Sequence, residues 1–245
     1  MKNTAAFTLL ALACAGAPAV AAETADLGVG GKVRPGICNI SLDSYTGGSV
    51  VDYGNIDIDK LIKDADGNGH LLDAGVTVSV ACGAGIQVGL TVSDGRAGTV
   101  PAGFDTAIAE NYAGITPVAG ASFGLGSTTD GALIGGYLMH LAPQFGGVKI
   151  GTADAGMLRS DDSGATWTAL ASGGENAGAR IMLPSGKRVH TWASTTDGKV
   201  NTTPAAVTTA SARYEIFSVI LPKDDLPLTG EIAIDGQATF TLVYL

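Results

Sequence analysis

Alternation of apolar and polar residues with a period of two runs through most of the chain, broken at Gly, Asp and Pro. Leu27, Val29, Gly31 and Val33 share one face of a first segment that stops at Pro35-Gly36. Residues 49–58 read as an extended stretch through Val51, Tyr53 and Ile56. Val76, Val78, Val80 and Cys82 alternate with Thr77, Ser79 and Ala81. Ile86, Val88, Leu90 and Val92 follow, and Gly83-Ala84-Gly85 predicts a hairpin-like interruption between the two runs. Residues 213–221 place Tyr214, Ile216 and Ile220 on one face and Phe217 and Val219 on the other. The chain closes with Ala238, Phe240, Leu242 and Tyr244 alternating with Thr239, Thr241 and Val243.

The middle is less regular. Residues 93–135 are rich in Gly, Ala and Thr, with a helical turn expected over 107–112. Residues 132–141 predict a buried strand that Gly135-Gly136 would weaken or bulge. Residues 193–211 lack aromatics except Trp192 just before them, and read as a long loop or an edge. Thirty-six glycines and only 15% charged residues weigh against helices, whereas Val and Thr suit a pleated surface. The expectation is one all-β sandwich with long loop insertions, with no linker and no domain-sized repeat.

The first residues predict export. Lys2 precedes an apolar stretch over 5–16 that is too short to span a bilayer, and Ala19-Val20-Ala21 supplies the small residues of a cleavage site. Residues 1–22 therefore read as a signal peptide that carries Cys14 away. A lipoprotein signal ending at Cys14 would favour Leu where Ala11 stands. No later apolar run approaches the ~18 residues of a transmembrane helix.

Export changes the meaning of the two remaining cysteines. Cys38 and Cys82 predict a disulfide, against the alternatives of two buried thiols or a zinc site lacking its second ligand pair. The formal charge of −9 leaves no electrostatic footprint for nucleic acid and no polybasic segment for anionic lipid.

Two motifs carry candidate chemistry. Asp64-Ala65-Asp66-Gly67-Asn68-Gly69 begins like a calcium loop, but Gly75 holds the twelfth position where a bidentate Glu belongs, so a plain turn is expected. Ser160, Asp162, Gly164, Thr166 and Trp167 match the Asp-box, which is similar to a hairpin motif of sialidase propellers. A propeller repeats its blades and this chain has one copy, which predicts a single hairpin capped by Trp167, with a surface glycan as its candidate ligand. His70, His140 and His190 are far apart and read as surface or strand-end residues. No nucleophile motif, phosphate cradle, metal set or cofactor motif is present, so an enzyme is not expected.

The order of signal peptide, alternating Leu27-Gly28-Val29-Gly30-Gly31-Lys32-Val33, Cys38, the 51–56 stretch, Cys82 and a C-terminal strand with penultimate Tyr244 resembles chaperone–usher fimbrial subunits. More narrowly it is similar to fimbrial-like proteins labelled domain of unknown function 1120. That resemblance implies an immunoglobulin-like sandwich over 37–245 lacking its final strand. It further implies a donor-strand extension over 23–36, with Leu27, Val29, Gly31 and Val33 entering a neighbour's groove. Phe240, Leu242 and Tyr244 would lie beside the groove where a periplasmic chaperone and then a neighbouring fimbrial subunit dock, with an outer-membrane usher as a further partner on the way to the cell surface. The alternative is a stand-alone secreted or surface-exposed lectin-like sandwich.

Overall fold

The computed structural model describes residues 37–61, 69–112, 115–142, 147–170, 177–227 and 230–245. The predicted signal peptide, the donor-strand segment and most of the calcium-like loop lie outside the described residues. In chain order the strands begin with β1 (Cys38–Ser44) and β2 (His70–Asp94), followed by helix α1 (Phe104–Asn111). Next come β3 (Phe123–Gly124), β4 (Gly135–Leu141), β5 (Val148–Ile150), β6 (Ala153–Asp154), β7 (Gly156–Ser160) and β8 (Thr168–Leu170). The last are β9 (Val189–Ala193), β10 (Thr195–Thr196), β11 (Lys199–Val200), β12 (Ala206–Ile220) and β13 (Ala238–Tyr244). The protein is all-β, as the alternation predicts, with curled antiparallel sheets packed sandwich-like on one main core.

β2 organises both sheets. Its first half pairs with β1 on one edge and β12 on the other; its second half pairs with β13 and β9. The expected hairpin at Gly83-Ala84-Gly85 is absent: the strand runs straight through those residues. What occurs there is a shift of register, with Val207 opposite Ile86 but Thr209 opposite Ala81. The small residues let one long strand turn the corner between sheets, as bulges commonly do.

β12 overturns a second expectation. Residues 206–211 belong to a central strand flanked by β2 and, further along, by β5 and β4. Their low hydrophobicity reflects alternation, with Val207 and Ala210 buried while Thr208 and Thr209 stay exposed. Between β9 and β12, residues 194–205 leave the main sheets as expected of a loop, and carry the β10–β11 hairpin that turns through Asp197 and Gly198 at positive φ.

Gly135 and Gly136 do not bulge β4. Both pair in register with β12, and a Cβ at Gly135 would collide with the Val219 carbonyl. Absence of a side chain here serves close approach. The main core gathers Val78, Val80, Leu90, Met139, Trp192 and Tyr214, all at 2% exposure or less. The predicted faces of β12 hold: Tyr214, Ile216 and Ile220 enter this core, while Val219 joins Phe104, Ile108, Leu138 and Ile181 in a second cluster beneath α1. That helix starts earlier than the turn expected at 107–112.

The disulfide forms as expected between directly paired residues of β1 and β2. Closing its 44-residue separation is worth about 4 kcal/mol in the chain-entropy account. The surface placement is corrected for two of the three histidines. His140 and His190 are buried at 5% and 0% exposure, near the ends of strands that are buried along their whole length. Their polarity, read without a face assignment, concealed that position.

Candidate functional site: an uncovered strip of the core

Residues 51–57 and 231–237 belong to no strand, and Gly54 turns the first of them at φ of 63°. They form the two walls of a groove. Its larger compartment, about 640 Å3, is bounded by Val51, Tyr53, Ile56 and Leu61 on one side and by Leu226, Ile232 and Ile234 on the other. A smaller compartment of about 320 Å3 continues past Leu42, Ile234, Ala238 and Phe240. Val51, Tyr53 and Ile234 border both, so they mark the waist.

The floor is the inner face of the sheet containing β2, β12 and β4. Val76, Tyr137, Met139, Ile216 and Ile220 rise into it. Core exposure follows the groove. The five main-core residues least completely buried, Leu61, Val76, Tyr137, Ile216 and Leu226 at 6–8%, all line it. Among the described residues no strand lies over this strip.

Each wall is tethered by side chains instead of by a ladder. Ser44 and Thr46 donate from their hydroxyls to the Val50 carbonyl. Asp52 accepts the Gly54 amide at 2.8 Å, and the Tyr53 hydroxyl pairs with Ser218 Oγ at 2.8 Å. Burial pushes the Tyr53 hydroxyl up to about 12, with Asp73 adding in the same direction against that hydrogen bond. On the opposite wall Arg96 Nε donates to the Asp235 carbonyl at 2.7 Å while its guanidinium pairs with the Asp235 carboxylate. Asp235 donates its amide to Leu125 at 3.0 Å, and Gln237 accepts from Gly95 at 2.8 Å. Gly236 lets this wall lie against Leu125 and Tyr137, which a Cβ would meet at 3.1 Å.

Between those tethers the main chain is open. Among the described residues, the backbone of 231–234 makes no hydrogen bond, and that of 51–56 is engaged only through the Gly54 amide. The two segments face each other across a floor of core side chains, with most of their main-chain donors and acceptors unmet among the described residues.

The predicted groove residues fall at different places. Phe240 lines the smaller compartment and Leu242 packs on the main core. Tyr244 is 48% exposed at the far end of β13, where its hydroxyl accepts the Cys38 amide at 3.3 Å. The sequence pattern missed Ile232 and Ile234, because their stretch carries Pro, Gly and charges around it; their i, i+2 spacing was the available signal. It also missed the floor contribution of Tyr137 and Met139.

The Asp-box residues assemble as a hairpin between β7 and β8. Ser160 Oγ accepts the Gly164 amide at 2.8 Å and donates to Asp162 Oδ1 at 2.6 Å. Asp162 accepts the Thr166 amide at 2.9 Å and its hydroxyl at 2.6 Å. These bonds, first from Ser160 and then from Thr166, lower the exposed Asp162 carboxyl to about 2. Ser163 takes φ of 61° and Gly164 φ of 92° at the turn. Trp167 is half-buried over Gly164, away from the groove linings.

Among the described residues no group of three or more His, Cys, Asp or Glu is placed to hold a metal ion, and no helix is long and apolar enough to cross a membrane. These features define an all-β sandwich-like protein with a strip of core left open. A family model described as Protein of unknown function (DUF1120) matches residues 27–138, and the chain is similar to that family over this region. The match takes in the 51–57 wall, the disulfide and β2, but not the 231–237 wall. No curated protein matches the chain.

Proposed function

We propose that this protein is a non-catalytic structural subunit of a surface fimbria, exported through the periplasm and polymerised by strand exchange. The groove between 51–57 and 231–237 accepts the 23–34 segment of a neighbouring copy. Before assembly a periplasmic chaperone covers the groove, and an outer-membrane usher delivers the subunit to the fibre. The observation that carries this reading is the pair of unladdered walls over a floor of core side chains. Such an exposed apolar strip is an aggregation hazard for a protein left alone.

Leu27, Val29 and Val33 would each bury an aliphatic side chain, worth roughly 1.5–3 kcal/mol apiece before the cost of ordering the segment. Gly31 would pass the waist at Tyr53. The test is thermal melting of the exported chain with and without residues 23–34 appended at its C-terminus. The expected result is a rise in Tm of about 10 °C with loss of aggregation. An unchanged, sharp melt from a stable monomer would sink the reading and favour a self-complete binding module.

A further inference from the structure

The groove has an apolar floor and an acidic rim. Asp52 and Glu231 stand on opposite walls of the larger compartment, both exposed, and neither has an ion-pair partner among the described residues. Lys223, whose amide bonds the Leu61 carbonyl, is followed by Asp224 and Asp225, and two other cations near the walls are paired. Lys60 lies 3.9 Å from Asp57, and Arg96 is held by Asp235. The larger compartment therefore presents unbalanced negative charge above a hydrophobic slot.

The segment proposed above as the occupant has the complementary layout. Its apolar alternation puts Leu27, Val29, Gly31 and Val33 on one face, which leaves Lys32 and Arg34 on the other. The basic pair is confined to one end, whereas Glu23 and Asp26 occupy the opposite end.

We infer that Asp52 and Glu231 form an electrostatic selector that recognises Lys32 and Arg34 of the incoming copy, so that the groove takes a strand with cationic residues on its outward face at that end. The inference rests on the strand-acceptance reading. Opposite charges at the rim of an interface steer encounter and reject wrongly charged partners more than they add raw affinity. Both carboxylates are exposed, so screening by salt must weaken the selection.

The test uses the whole exported chain and reads its mass distribution by light scattering. Four forms are compared at about 20 mM and about 500 mM salt, a range over which the screening length falls severalfold. They are the native chain, K32E/R34E, D52N/E231K, and the two pairs combined; Asn at 52 keeps an acceptor for the Gly54 amide. The expected result is about tenfold slower assembly for K32E/R34E at low salt, substantial recovery in the combined chain, and convergence of the rates at high salt. Equal assembly of native and K32E/R34E chains, or no recovery in the combined chain, overturns the selector while leaving strand acceptance intact. A native chain that stays monomeric in all conditions overturns both. D52N/E231K must melt with the native chain, because neither side chain supports the core.

Discussion

Two regions of the core meet opposite fates. Along β12 and β9 the strands are laddered, interdigitated and sealed, with Trp192 fully buried and its indole N–H donating to the Ser211 carbonyl at 2.9 Å. Across the sandwich, the walls at 51–57 and 231–237 lie beside the same core with few main-chain bonds of their own. The chemistry of the side chains is similar in both places; Ile232 and Ile234 are as apolar as Val189 and Val207. What differs is whether a neighbouring strand exists to satisfy the backbone. Hydrophobicity alone does not close a sandwich; the ladder does.

The sharpest way to break this comparison is to remove one apolar side chain from each region. Trp192→Ala should cost about 4 kcal/mol, adding a cavity to the loss of its hydrogen bond. Ile234→Ala, partly exposed at the waist, should cost about 1 kcal/mol or less in the unfilled domain and noticeably more when the appended strand is present. Urea melts of both variants, with and without the appended 23–34 segment, decide it. Equal costs for Ile234→Ala in the two backgrounds would mean that the groove is not a strand acceptor.

That asymmetry explains what could be read from the sequence. The strands around Val76, Val88, Tyr214 and Phe240 were legible because each buries one face only, so alternation survives. β4 was legible as a buried run. The course of β2 through residues 83–85 was not, because Gly and Ala mark hairpins and corners alike, and only the partner register separates the two. β12 was half-hidden because Thr and Ala on its outer face looked like loop. The groove was the least legible feature. One wall was recognised as extended, but its meaning depends on the distant 231–237 wall, and no local pattern reports that two unpaired segments face each other.

The second prediction probes the sealed region with protons. Among the described residues neither ring nitrogen of His140 has a hydrogen-bond partner, and His190 Nδ1 lies 3.2 Å from the Tyr214 hydroxyl. Burial, with repulsion from Arg180, lowers His140 to about 4. Burial, with repulsion first from Arg188 and Arg159, lowers His190 to about 3. Both folded-state values lie below the ordinary 6.5, so the unfolded chain binds more protons in between. The stability these neutral imidazoles permit is complete above pH 6.5 and is lost as pH falls below it. At pH 5 the loss should be about 2 kcal/mol for each histidine. Denaturant melts at pH 7 and pH 5 should show it, and a chain carrying H140L and H190F should show a flatter dependence whatever its absolute stability. An undiminished slope in that variant would assign the acid sensitivity to carboxylates instead. The groove, whose walls carry no histidine, should contribute nothing to this slope.

The smallest effect belongs to the Asp-box hairpin, which sits outside both halves of the comparison. Its bonds to Asp162 are local, and the carboxylate is solvent-exposed, so its low value reports turn geometry and not burial. With a folded value near 2, the turn contribution is present above the ordinary carboxylate range and disappears only as pH drops toward 2. The hairpin is anchored to the sealed region by a different residue: Asp161 accepts Arg188 Nε at 2.7 Å, and Arg188 also donates to the Gly178 and Ile181 carbonyls. Asp162→Ala should therefore speed hydrogen exchange at the Thr166 amide by at least about tenfold while shifting global Tm by no more than about 3 °C. If the variant instead melts as early as Trp192→Ala, the hairpin is part of the sealed region, and the boundary between closed and open parts must be drawn to include it.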